Sequence, residues 1–184
     1  MERQRQSEYL VLRKTIADRG ALRPVILLGG LGMWALLVIA VLSFLPFPVA
    51  AGIPLVALVV TFEAIRPLHF GAERNGRYLQ VFHEEAGQPD RALSDTPSWE
   101  RVAMRMGHVP GVGGHPLFVP VFFMATALNY LGVVLPGPVL VEMGAMALPH
   151  LAFIAWIFAA DRAMRRQRVI ELARMRELYK QTQP

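Results

Sequence analysis

The nineteen Lys and Arg residues of this chain fall into three blocks, Arg3 to Arg23, Arg66 to Arg105 and Arg162 to Lys180, and the two intervals between the blocks contain none. Each interval holds two apolar stretches joined by a very short turn. Basic side chains resist transfer across a bilayer and stay on its cytoplasmic face, so this distribution restricts the chain to membrane-crossing helices threaded from one side. The stretches, roughly 25–45, 49–65, 117–135 and 139–160, are each about 17–22 residues long, which at about 1.5 Å per residue matches a hydrocarbon core of about 30 Å. From Val25 to Phe44 only Trp34 and Ser43 have strong polar character, whereas a soluble helix of that length carries a polar face.

A hydrophobic content of 54% agrees with that reading. The net charge of +5 would suggest nucleic acid as the partner of a soluble chain; here the retained arginines account for it, and no nucleic acid is expected. Basic tails beside a membrane instead meet anionic lipid head groups, at about 1 kcal/mol per residue. The absence of cysteine excludes disulfides, thiolate metal sites, iron–sulfur clusters and haem attached through Cys. The first apolar stretch begins only after residue 24 and is too long for the apolar part of a signal peptide, so no cleavable leader is expected.

The expected fold is an all-α, integral membrane four-helix protein of two transmembrane hairpins. It lies in an inner (cytoplasmic) membrane of the bacterial type, with N- and C-termini and amphipathic helices on the cytoplasmic side. Residues 1–23 form an amphipathic N-terminal helix, with Tyr9, Leu12 and Ile16 on one face, Gly20 as its stop and Arg23-Pro24 as the turn into the membrane. Residues 24–66 are the first hairpin, turning at Ser43 to Pro48. Residues 67–116 form a cytoplasmic loop with a helix over Leu68–Glu85, a second helix capped by Thr96-Pro97 and running to about Met106, and a connector from Gly107 to Pro116. Residues 117–160 are the second hairpin, turning at Leu135 to Pro138, and 161–184 a basic C-terminal helix. Ala159 through Tyr179 has neither Gly nor Pro, so the last span continues unbroken into that tail, with Leu172, Met175 and Tyr179 as a contact stripe.

An ionisable group in a bilayer is costly, about 2.5–3.5 kcal/mol on insertion scales, which makes each one a candidate for function. Glu63 stands three residues before Arg66, the spacing of an interfacial ion pair. Glu142 sits about one turn inside the last span, where the helix dipole favours a carboxylate, and folding about Gly137 brings Asn129 and Tyr130 opposite it as hydrogen-bond donors. His150 follows Pro149 and either donates to a backbone carbonyl or, in the sharper reading, ligates a haem or chlorin; apart from that alternative no cofactor is expected. The mid-span Trp34 needs an acceptor for its indole N–H or a ring to stack on. His69, His83, His108 and His115 lack metal-site spacing, and Gly111 to Gly114 lacks the Lys-Ser/Thr of a phosphate loop, so neither a metal nor a nucleotide is expected. Gly29, Gly30 and Gly32, with Ala152, Ala155 and Ala159, allow close helix approach.

These features favour a non-catalytic accessory or structural subunit of a larger inner-membrane complex, partnered by other membrane-protein subunits. One alternative is a small oligomeric transporter or channel using Glu142, Asn129 and His150, since four spans alone are too thin for a pore. Another is a cofactor-binding subunit of a respiratory or photosynthetic assembly, with His150 as ligand. No catalytic arrangement points to an enzyme.

Overall fold

A computed structural model describes residues 2–45, 47–85, 117–137 and 139–181. Among them the regular structure is entirely helical: α1 (Glu2–Phe44), a 3-10 turn (Pro48–Ala51), α2 (Gly52–Leu79) continuing as a π-helical segment (Gln80–Glu85), α3 (Val119–Val134) and α4 (Leu140–Gln181). Three helices, α1, α2 and α4, are long and apolar enough to cross a membrane. The remaining one, α3, has 16 residues and spans about 24 Å, short of a hydrocarbon core of about 30 Å. It starts late because Phe118 takes φ 52°, a left-handed conformation, ahead of Pro120 in the first helical turn. The helix expected after Thr96 and the Gly107–Pro116 connector lie outside the described residues, together with His108 and His115.

Two local breaks expected from the sequence are absent. Neither Gly20 nor Pro24 ends α1, and Pro67 lies within α2, so the helix expected to begin at Leu68 is a continuation of the preceding span. Proline removes one backbone hydrogen bond, whereas a full break at the edge of an apolar environment leaves several carbonyls and amides without partners. The unbroken α4 matches its Gly- and Pro-free tail, although Pro149 also lies within it. The turn before α4 depends on Gly137, whose φ of +73° suits a residue without Cβ.

Contacts within the chain form two compact units, residues 22–67 with 115–163 and residues 1–21 with 68–114 and 164–184. The first is the apolar unit. Its core is a trio of rings, Phe62 with Phe122 and Phe153, packed edge-to-face at centroid distances of 5.2, 6.0 and 6.5 Å among the buried Leu58, Ile65, Val133 and Ile157. The apolar part of α2 is 50% buried and that of α1 only 11%, so α2 is the central helix of this unit. The second unit closes around α2 and its π segment. Tyr78 stacks on Phe82 at 4.7 Å and donates to Glu8 at 2.9 Å, while Phe82 meets Tyr179 edge-on at 5.5 Å.

In the apolar unit α1 approaches α2 closely at Gly30, where an added Cβ would collide with the Thr61 side chain, Cβ included. Thr61 is stiff at χ1 and its hydroxyl already bonds Ala57 O at 2.6 Å, so it has little room to give. Gly30→Ala is therefore expected to destabilise by about 1–3 kcal/mol. Gly29→Ala, with open space around it, is expected to be neutral or mildly stabilising through helix propensity. Thermal unfolding of the two variants in detergent checks this; equal midpoints would contradict the close approach.

Candidate functional site

The apolar unit contains one polar network linking α1, the 3-10 turn, α3 and α4. Its centre is Asn129, 1% exposed, on α3. Asn129 Oδ1 accepts from Trp34 Nε1 on α1 at 3.1 Å. Asn129 Nδ2 donates to Ala51 O at 2.9 Å and to His150 Nε2 at 2.9 Å. His150 Nδ1 in turn donates to Met146 O, one turn earlier on α4, at 2.7 Å. A carbonyl can only accept, so Nδ1 carries the proton and the Nε2 lone pair receives the amide hydrogen of Asn129. The reverse amide orientation would set Asn129 Oδ1 against Ala51 O and its NH2 against the Trp34 indole, so the network is complete in one arrangement with a neutral imidazole. Tyr130 packs edge-on against the His150 ring at 5.2 Å and donates to Met143 O at 3.0 Å.

The structure thus joins three of the sequence-predicted residues, Asn129, Tyr130 and His150, and adds Trp34, whose acceptor is Asn129. Glu142 is not among them. It is exposed on the first turn of α4, and the expected donors bond elsewhere: Tyr130 reaches the backbone of Met143, one residue on, and Asn129 reaches Ala51 and His150. The turn through Gly137 sets this register, turning Glu142 outward. His150 Nε2, the atom a haem or chlorin iron or magnesium would need, is engaged by Asn129, so the site as built does not fit axial ligation.

Glu63 and Arg66 pair at 2.7 Å, both about one-third exposed. Trp156 completes the group: its indole donates to Glu63 Oε1 at 2.6 Å, and Arg66 lies over its ring at 5.2 Å. This anchors the end of the apolar part of α2 to α4 at a level where an ion pair and an indole suit an interface.

The second unit holds a larger charged cluster that the sequence does not reveal. Arg77, 1% exposed, binds Glu73 Oε2 at 3.1 Å and Glu171 Oε2 at 2.5 Å. His69 Nε2 and Arg168 Nη2 lie 3.3 and 3.4 Å from Glu73 Oε1. Arg74 at 2.8 Å and Gln167 at 2.6 Å both reach Glu171 Oε1. The only signal in the sequence is the i,i+4 spacing of His69, Glu73 and Arg77 along one helical face. Glu171, 94 residues beyond Arg77, has no local mark.

Burial alone would raise the Glu73 pKa; the His69 hydrogen bond and charge, the Arg168 charge and the Arg77 hydrogen bond outweigh it and hold the carboxyl down at about 2 against an ordinary 4.5. Burial likewise raises Glu171, and Arg74, Gln167 and Arg77 reverse it to a net lowering. A carboxyl depressed on folding stabilises the protein above its unfolded pKa and loses that contribution as pH falls through its folded value. Stability is therefore expected to decline between pH 4.5 and about 2, by up to about 3 kcal/mol from Glu73. Glu73→Gln should flatten that acid limb in an unfolding titration, and an unchanged limb would count against the cluster.

Compared with protein-family models, curated proteins and solved structures, the chain matches none of them.

Proposed function

We propose that the chain is a non-catalytic accessory subunit of a larger complex in an inner, cytoplasmic-type membrane, inserted as two hairpins with both termini on the cytoplasmic side. The observation that carries this reading is the closed network around Asn129. Its donors and acceptors satisfy one another and nearby backbone, which is the behaviour of a fastener between helices rather than of groups kept ready for a substrate. Outside that fastener α1 is sparsely covered, with Val25, Leu28, Met33, Leu36 and Ile39 each more than half exposed, a face suited to lipid and to the helices of other subunits. A polar conduction path draws less support, because Glu142 stands apart from Asn129 and His150.

Purification of the tagged chain in mild detergent, followed by mass spectrometry, tests the reading. The expected result is recovery with other integral membrane proteins in fixed ratio. A well-behaved monomer, free of any partner and fully stable, would overturn it.

A further inference from the structure

Two polar markers on the apolar unit lie closer together than the two faces of an ordinary hydrocarbon core. On one side stands Glu142, exposed on the first turn of α4. On the other stands the group of Glu63, Arg66 and Trp156. Glu63 is held there by Arg66 at 2.7 Å and by the Trp156 indole at 2.6 Å, which fixes the level of its carboxylate. The rise along α4 from Glu142 to Trp156 is about 21 Å, at about 1.5 Å per residue. Two further elements of the unit repeat this length. From Pro48, through the 3-10 turn and along α2 to Glu63, the rise is about 24 Å. The exposed apolar residues of that stretch of α2, Ile53, Val56 and Val60, end about one turn before Glu63. The helix α3, closed at one end by the left-handed Phe118, also spans about 24 Å. An ordinary hydrocarbon core measures about 30 Å. In α1 the apolar run from Val25 to Phe44 rises about 29 Å, but a long helix fits a thinner layer by tilting. Short elements have no such freedom: either the lipid thins around them or their polar ends enter hydrocarbon.

We propose that the apolar unit is fitted to a thin bilayer, with a hydrocarbon layer of about 21–25 Å. Glu142 bounds that layer on one side, and the Glu63, Arg66 and Trp156 group bounds it on the other. The partner is thus a lipid surface recognised by acyl-chain length rather than by head group. In a membrane of ordinary thickness the unit thins the lipid around it. The part of α4 from Trp156 to Arg162 then falls in the interfacial region, where an indole and an arginine are at home. This inference rests on the membrane insertion proposed above and adds the kind of bilayer to it.

Reconstitution of the full chain into phosphatidylcholine vesicles that differ only in acyl length tests it. Myristoleoyl, oleoyl and erucoyl chains give a thin, an ordinary and a thick bilayer with the same head group. Flotation after a carbonate wash first shows whether the chain is inserted, and the thermal midpoint of the inserted protein is then compared across the three lipids. The expected midpoint is highest in the myristoleoyl lipid and at least about 3 °C lower in the erucoyl lipid. Glu142→Leu extends the apolar surface of α4 outward to Leu140, so that fall should shrink in the variant. Glu142 is exposed and stands apart from the polar network, so the variant keeps the contacts that hold the helices together. Insertion with a midpoint that is highest in the oleoyl or erucoyl lipid, or with a fall as large in Glu142→Leu as in wild type, would overturn this inference alone. Failure to float with any of the three lipids would overturn the membrane reading and this inference with it.

Discussion

Arg77→Met is expected to destabilise the protein by about 3 kcal/mol, lowering its thermal midpoint by on the order of 6–12 °C. Met nearly fills the space of the arginine, so the loss is electrostatic. Glu73 and Glu171, whose side chains are only 14% and 16% exposed, each lose a guanidinium partner and keep their burial. Desolvated charge without compensation is what makes such single substitutions severe, whereas removing every charge of a buried group is often nearly neutral. The triple variant Arg77→Met/Glu73→Gln/Glu171→Gln should therefore recover much of the loss. Unfolding of the purified variants in detergent checks both statements; a single variant within about 1 °C of wild type would mean that the cluster does not hold α2 to α4.

Asn129→Leu is expected to cost about 2–4 kcal/mol in the same assay. Leucine keeps the volume but strands the Trp34 indole, one bond of Ala51 O and the His150 Nε2 lone pair at once. Individual polar contacts between membrane helices average less than about 1 kcal/mol, so the predicted size depends on three groups sharing one side chain. His150→Leu removes only one Asn129 bond and should cost clearly less. If the two variants were equally mild, Asn129 would not be the hub that the geometry describes.

The distribution of arginines and the lengths of the apolar runs make the helical content legible from residues alone, because both are local properties. The unbroken α4 is legible for the same reason: nothing between Ala159 and Tyr179 interrupts a helix. Continuity through Pro24 and Pro67 is not, since the local preference of proline is outweighed by backbone groups that would otherwise lose partners in apolar surroundings. The polar contacts divide along the same line. Glu63 and Arg66 are three apart on one helix and can be paired by spacing. Trp34 and Asn129 are 95 residues apart, and only the packing of α1 on α3 brings them together. Counting back from the turn puts Glu142 opposite Asn129 and Tyr130, but successive helical residues differ by about 100° around the axis; Tyr130 meets the backbone of Met143 instead, and Glu142 is exposed.

In the proposed threading two hairpins enter the membrane from the cytoplasmic side, leaving every basic block behind. Because the chain has no cysteine, single cysteines report on it directly. A membrane-impermeant maleimide added to intact cells should label Phe47→Cys and Leu135→Cys, both exposed at the hairpin turns, and should reach Arg91→Cys and Glu177→Cys only after permeabilisation. Labelling at position 91 or 177 in intact cells would contradict the account.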